Sequence, residues 1–100
     1  MIIGKSGFRL SEDEALTFIG GYTVFNDTTL RDWQRHTTQF IPGKNFPGTG
    51  AIGPALLAPE EVDSFEEKSI QTSVNGVTVQ SAKLGDMTTA GTTVLAELAP

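Results

Sequence analysis

The sequence contains no cysteine. That excludes a disulfide framework, a thiol nucleophile and any thiolate-held metal. Histidine is nearly as scarce: His36 stands alone, at the end of a short helical stretch where a contact with the helix dipole accounts for it. Positive charge is thin as well. Seven Lys and Arg against twelve Asp and Glu leave a net charge of −5, and the seven are scattered as singletons. Nucleic acid and anionic membrane are therefore poor partners. No apolar run approaches the roughly 20 residues of a membrane span, and the three residues before Gly4 are too few for a signal-peptide apolar region. A cytoplasmic setting is expected.

What is present suits an ordered globular chain. Hydrophobic residues make up 38% and charged ones 19%, while 11 Gly and 5 Pro point to much turn and loop. A chain of 100 residues suffices for one domain and buries about 60–70% of the surface its unfolded form exposes. Neither an internal repeat nor a linker divides it, so residues 1–100 are expected to be a single domain.

Local patterns define the elements. Met1 to Ile3 read as the end of a strand, followed by a turn at Gly4 to Gly7 and an extended piece at Phe8 to Leu10. In "SEDEALTFIGG", Ser11 and Glu14 have capping-box spacing, Ala15, Leu16, Phe18 and Ile19 supply an apolar side, and Gly20 is expected to end the helix. "YTVF" at 22–25 is β-branched and aromatic, hence a strand. A short helix is expected from about Thr29 to His36, with Thr29 and Asp32 in capping-box spacing, then a long loop from Thr37 to Pro54. "ALLA" suggests a short strand, and the acidic run from Glu60 to Glu67 a solvated turn. "SIQTSVNGVTVQSA" spells a hairpin turning at Asn75-Gly76, because both residues tolerate positive φ. A weak helix is compatible with the bland C-terminal stretch.

Polar chemistry concentrates between residues 27 and 49. Asp27, after a strand and before a helix, can cap that helix or bind a hard cation. Arg31 and Gln34 share a helix face, either solvated or offering a fork and an amide to a carboxylate. Lys44, among Gly43, Gly48 and Gly50, is either a surface charge or, with Thr49, a donor to a small anion. Trp33, Phe25 and Phe40 are expected to be packing residues.

Taken in order, "GYTVFNDTTLRDWQ", "QFIPGKNFPGTGAIGP", "VNGVTVQ" and "DM" resemble successive motifs of the fumarylacetoacetate hydrolase family over about residues 2–87. The resemblance implies an α+β fold, a β-rich mixed-sheet roll with two short helices and the Asn-Gly hairpin. It implies magnesium- or manganese-dependent hydrolysis, decarboxylation or isomerisation of small 2-oxo dicarboxylic acids. By the same resemblance Asp27 matches a metal ligand, Arg31 and Gln34 match substrate-pocket residues, Lys44 matches the lysine beside the metal, and Thr49 matches a substrate-contacting threonine.

The departures are equally specific. The family's Glu-x-Glu metal ligands and its lid histidine and glutamate belong upstream of the strand that here begins at Met1. A "TGTPxGVG"-like segment has no counterpart, and Ala55 stands where many relatives have the Trp of "GPW". The expectation is a truncated central piece with one metal carboxylate of three and little or no activity alone. Exposed strand edges would favour a homodimer or higher homo-oligomer. A non-catalytic scaffold, or a self-associating binder of small acids, is the alternative from another functional class.

Overall fold

The computed structural model describes residues 1–99. They group into two compact units, one formed by residues 1–21 and 57–99, the other by residues 22–56. Among the described residues no helix is long and apolar enough to cross a membrane.

In the first unit, strand β1 (Ile2–Ile3) pairs antiparallel with the start of β2 (Ile19–Asn26), Ile2 opposite Gly21 and Ile3 opposite Ile19. Helix α1 (Glu12–Ala15) begins with the capping box expected from Ser11 and Glu14. The Glu14 carboxylate accepts from the Ser11 hydroxyl at 2.7 Å and from its backbone N–H at 3.2 Å, and these bonds lower the Glu14 pKa. A 3-10 turn, Leu16–Phe18, then leads straight into β2. Gly20 is thus a strand residue rather than the end of a helix. The reason is steric: a β-carbon there would lie 2.8 Å from the α-carbon of Gly4, whose N–H donates to the Phe18 carbonyl at 2.8 Å. Phe8 to Leu10 form no strand either, since Arg9 takes the left-handed conformation at φ 53°.

The C-terminal stretch forms helix α3 (Gly91–Leu98), the longest α-helix among the described residues. It packs on α1, where the Thr93 hydroxyl donates to the Glu12 carboxylate at 3.0 Å. The buried hydrophobic residues, Ala15, Ile19 and Leu95, all lie here. Strands β4 (Ser69–Val74) and β5 (Val77–Lys83) make the Asn-Gly hairpin, with Asn75 at φ 51° and Gly76 at φ 82°. Every hairpin residue is exposed, including Ile70, Val74, Val77 and Val79. Between strands, the acidic run folds into two 3-10 turns, Pro59–Glu61 and Phe65–Glu67, and Lys68 donates to Asp63 at 2.9 Å.

The second unit contains most of β2, helix α2 (Arg31–Gln34), a 3-10 turn at Ile41–Lys44 and most of β3 (Ala51–Leu57), which neighbours β2 in the sheet. The expected loop from Thr37 to Pro54 therefore carries a turn and the beginning of a strand. Within it the Gly43 N–H donates to the Phe40 carbonyl and the Thr49 N–H to the Phe46 carbonyl, each at 3.3 Å.

Candidate functional site

The site residues are placed by one feature of the second unit, the docking of the 3-10 turn onto the start of α2. The Leu30 N–H donates to the Gly43 carbonyl at 2.8 Å. Gly43 is buried, and a β-carbon on it would lie 3.0 Å from both the Gln34 α-carbon and the Leu30 carbonyl oxygen. Only glycine lets the two backbones approach so closely. The next residue is Lys44.

From that position Lys44 reaches back across the chain. Its ammonium hydrogen-bonds the Asp27 carboxylate and donates to the Thr29 hydroxyl at 3.1 Å. Two of three ammonium donors are thereby used, leaving one for another acceptor. The Asp27 and Lys44 side chains retain 60% and 45% of their exposure, so the pair is open to solvent. An exposed pair of this kind contributes only about 0–1 kcal/mol to stability.

Asp27 does not cap α2. The N-cap position is Leu30, with no side-chain cap bond, so the Thr29–Asp32 capping box does not form. Thr29 instead donates to the Asp27 carbonyl at 3.3 Å and accepts from Lys44. Its second role was hidden because 15 residues separate the partners.

Arg31 and Gln34 do share a helix face, and the guanidinium donates to the Gln34 side-chain oxygen at 2.6 Å. Gln34 is half-buried by the Gly43 contact, whereas Arg31 is exposed. The amide thus holds one end of the fork while its remaining N–H groups stay available. Thr49 sits differently from the other four. Its hydroxyl donates to the Phe46 carbonyl at 2.6 Å and closes the loop after Lys44.

Aromatic contacts fix that loop to α2. The Trp33 ring meets Phe46 edge-on at 5.3 Å between centroids and lies 4.6 Å from the His36 ring. His36 is therefore an aromatic neighbour of Trp33. Phe40, before the turn, takes a left-handed conformation at φ 57°. Such a backbone is costly for a bulky residue. No sequence pattern announced it.

For a hard cation, Asp27 offers suitable oxygen chemistry, with one carboxylate oxygen engaged by Lys44. Among the described residues no group of three or more His, Asp or Glu side chains converges on a common point. Asp27 fits as a single ligand.

Comparison with known proteins bears on this arrangement. The profile described as "Fumarylacetoacetate (FAA) hydrolase C-terminal" matches residues 1–100. Oxaloacetate tautomerase YisK of Bacillus subtilis is 39% identical over 87 residues, covering 87% of this chain and 29% of the relative. The mitochondrial oxaloacetate tautomerase FAHD2A of Homo sapiens is 35% identical over 89 residues, covering 87% of this chain and 28% of the relative. Among solved structures, a fumarylacetoacetate hydrolase from Exiguobacterium antarcticum superposes with a TM-score of 0.88 at 33% identity, over 98% of this chain and 35% of the other. The chain thus spans less than a third of the length of these curated relatives. Its mixed helix-and-sheet architecture is of the same type as the solved neighbour's. With the profile matching from end to end and these identities behind it, the chain belongs to the fumarylacetoacetate hydrolase family.

Proposed function

We propose that residues 27–49 form one wall of an active site for a small 2-oxo acid, and that the reaction is proton transfer between its keto and enol forms. Keto–enol exchange is the isomerising branch of the family's chemistry, and the names of the two tautomerase relatives support it. The single observation that carries the reading is the contact of Lys44 with both Asp27 and Thr29, which holds an ammonium and a carboxylate side by side.

Enolisation releases a proton from the carbon beside the oxo group to solvent water and moves negative charge onto the oxo oxygen, which takes a proton back from solvent to give the enol. A fixed ammonium stabilises that charge more as it develops than in the starting ketone, which is what acceleration requires. Lys44 supplies it, and Asp27 and Thr29 keep the side chain from wandering. The Arg31 fork takes a substrate carboxylate, oriented by its bond to Gln34. Thr49 shapes the loop through the Phe46 carbonyl. Asp27 would contribute one carboxylate to magnesium or manganese, and the bound cation would supply Lewis acidity toward the oxo-acid oxygens.

One carboxylate holds such a cation weakly, so the 100-residue chain by itself is proposed to have little or no turnover. The test follows oxaloacetate enol absorbance in the ultraviolet with manganese present, beside calorimetric titration of manganese alone. Activity lost in Lys44→Ala and manganese binding lost in Asp27→Ala would support the reading. Turnover unchanged in Lys44→Ala would refute it.

A second reading, a self-associating scaffold or small-acid binder without catalysis, is favoured by one observation. Large apolar side chains stand exposed along β2, β3 and the hairpin, among them Val24, Phe25, Ile52, Leu56 and Val79. Manganese binding absent in the wild-type chain, with oligomers in the same buffer, would favour it.

A further inference from the structure

On the reading of residues 27–49 as a metal-assisted site, the Asp27 carboxylate serves two cations. The Lys44 ammonium already binds it, and magnesium or manganese would take the same group as a ligand.

Three contacts hold the ammonium where it is. The Gly43 carbonyl accepts from the Leu30 N–H at 2.8 Å, which fixes the backbone one residue before Lys44. The Thr29 hydroxyl accepts from the ammonium at 3.1 Å, a second seat beside the first. That hydroxyl also donates to the Asp27 carbonyl at 3.3 Å, so both seats belong to one short segment. Lys44 therefore stays close to Asp27 even when a carboxylate oxygen is contested.

Charge then decides the sign of the coupling. The charges of Asp27 and Lys44 cancel, so the pair offers a dication no net attraction. Two cations sharing one carboxylate stand about 4–5 Å apart, by ordinary metal–oxygen and hydrogen-bond lengths. That is well inside the screening length of ~10 Å at ordinary salt. Even in water, two unit charges about 4 Å apart repel by the equivalent of about fivefold in affinity.

We propose that Lys44 and the divalent cation are antagonists at Asp27, so that the lysine lowers the cation affinity of the site it serves. Each weakens the other's hold by the same factor, because binding linkage is reciprocal. The ammonium that stabilises the enolate is thus also what keeps manganese from binding more tightly. A lysine that merely propped up Asp27 has the opposite signature: its removal would loosen the carboxylate and weaken the metal.

The experiment titrates manganese into the whole chain and reads paramagnetic broadening of the Asp27 and Thr28 backbone amide signals by NMR, with native Trp33 emission as the check on folding. Lys44→Met keeps most of the stem and removes the charge, and should bind manganese about fivefold more tightly than the wild type. Lys44→Gln, a second neutral variant, should do the same, while Lys44→Arg keeps the charge and should stay near the wild-type affinity. Asp27→Asn should abolish the broadening, alone and combined with Lys44→Met. Unchanged or weaker affinity in both neutral variants, with binding still dependent on Asp27, would overturn the antagonism and leave the metal role of Asp27 standing. Equal tightening in Lys44→Arg would overturn it as well. Broadening that survives Asp27→Asn, or its absence from both the wild type and the neutral variants, would overturn the antagonism and the metal role together.

Discussion

Gly43→Ala is a small change placed where the site can least absorb it. The new methyl would meet the Gln34 α-carbon at 3.0 Å, the Leu30 carbonyl oxygen at 3.0 Å and the Gln34 nitrogen at 3.2 Å. Carbon–carbon contacts settle near 3.5–4.0 Å, so one backbone must retreat by about 0.5 Å. None of the three atoms is the movable tip of a side chain. Retreat stretches the 2.8 Å bond between the Leu30 N–H and the Gly43 carbonyl toward the limit of a useful hydrogen bond.

Overpacking of this kind costs about 1–3 kcal/mol, against roughly 0.4–1 kcal/mol regained because alanine restricts the unfolded chain. The net expectation is a loss of about 1–2 kcal/mol, or roughly five- to thirtyfold in the folding equilibrium. Trp33 reports on it directly, being the only tryptophan and in contact with the loop through Phe46. Urea unfolding followed by Trp33 emission should show a lower midpoint, with the native spectrum itself altered. A matching substitution at Gly48 is the control. No atom lies within 4 Å of a β-carbon there, so its cost comes from positive φ alone, and Trp33 should keep its native spectrum. If Gly43→Ala leaves both midpoint and native emission unchanged, the docking of the Lys44 turn on α2 is not what positions the lysine.

Three further outcomes are expected. Asp27→Asn should change stability by less than ~1 kcal/mol, as befits an exposed pair, while reducing manganese affinity in calorimetry; large destabilisation with unchanged metal binding would reverse the assignment. Glu14 has its pKa lowered by the Ser11 hydroxyl and backbone N–H, so its stabilising contribution is present above the ordinary value of 4.5 and lost as pH falls through the lowered one. Thermal melts across that acid range should show a smaller pH dependence in Ser11→Ala than in the wild type, and equal slopes would refute the linkage. Finally, Val79→Lys should reduce concentration-dependent association in sedimentation velocity if the exposed hairpin is a contact surface, whereas identical profiles would move that surface elsewhere.

Some of this was legible in the sequence because the determining interactions are local. Ser11 and Glu14 are three residues apart, and a capping box needs nothing else. Asn75 and Gly76 set their turn from their own backbone preferences, and Arg31 finds Gln34 within one helical turn. The fold type was accessible for a different reason, through the resemblance carried by whole motif strings. Where tertiary contact decided the outcome, local reading misplaced the boundary. Gly20 looks like a helix stop, yet its lack of a side chain serves the approach of Gly4, a residue 16 positions earlier.

The same distinction explains the site. Thr29 and Asp32 have the spacing of a cap, and local rules favour one, but Lys44 arrives from 15 residues away and recruits the Thr29 hydroxyl. That arrival depends on contacts invisible to any short window: Gly43 against Leu30 and Gln34, and Phe46 against Trp33. A lone lysine in a glycine-rich loop is uninformative until its neighbours show why the loop has a fixed place. Gly43 removes the side chain that would keep the turn off α2, and Phe46 adds the ring that holds the following residues down. Between them the Lys44 backbone is held on both sides, so only its side chain remains to be ordered when the ammonium meets Asp27. The surrounding glycine and aromatic residues, more than the charged ones, therefore determine whether the charged ones can act together.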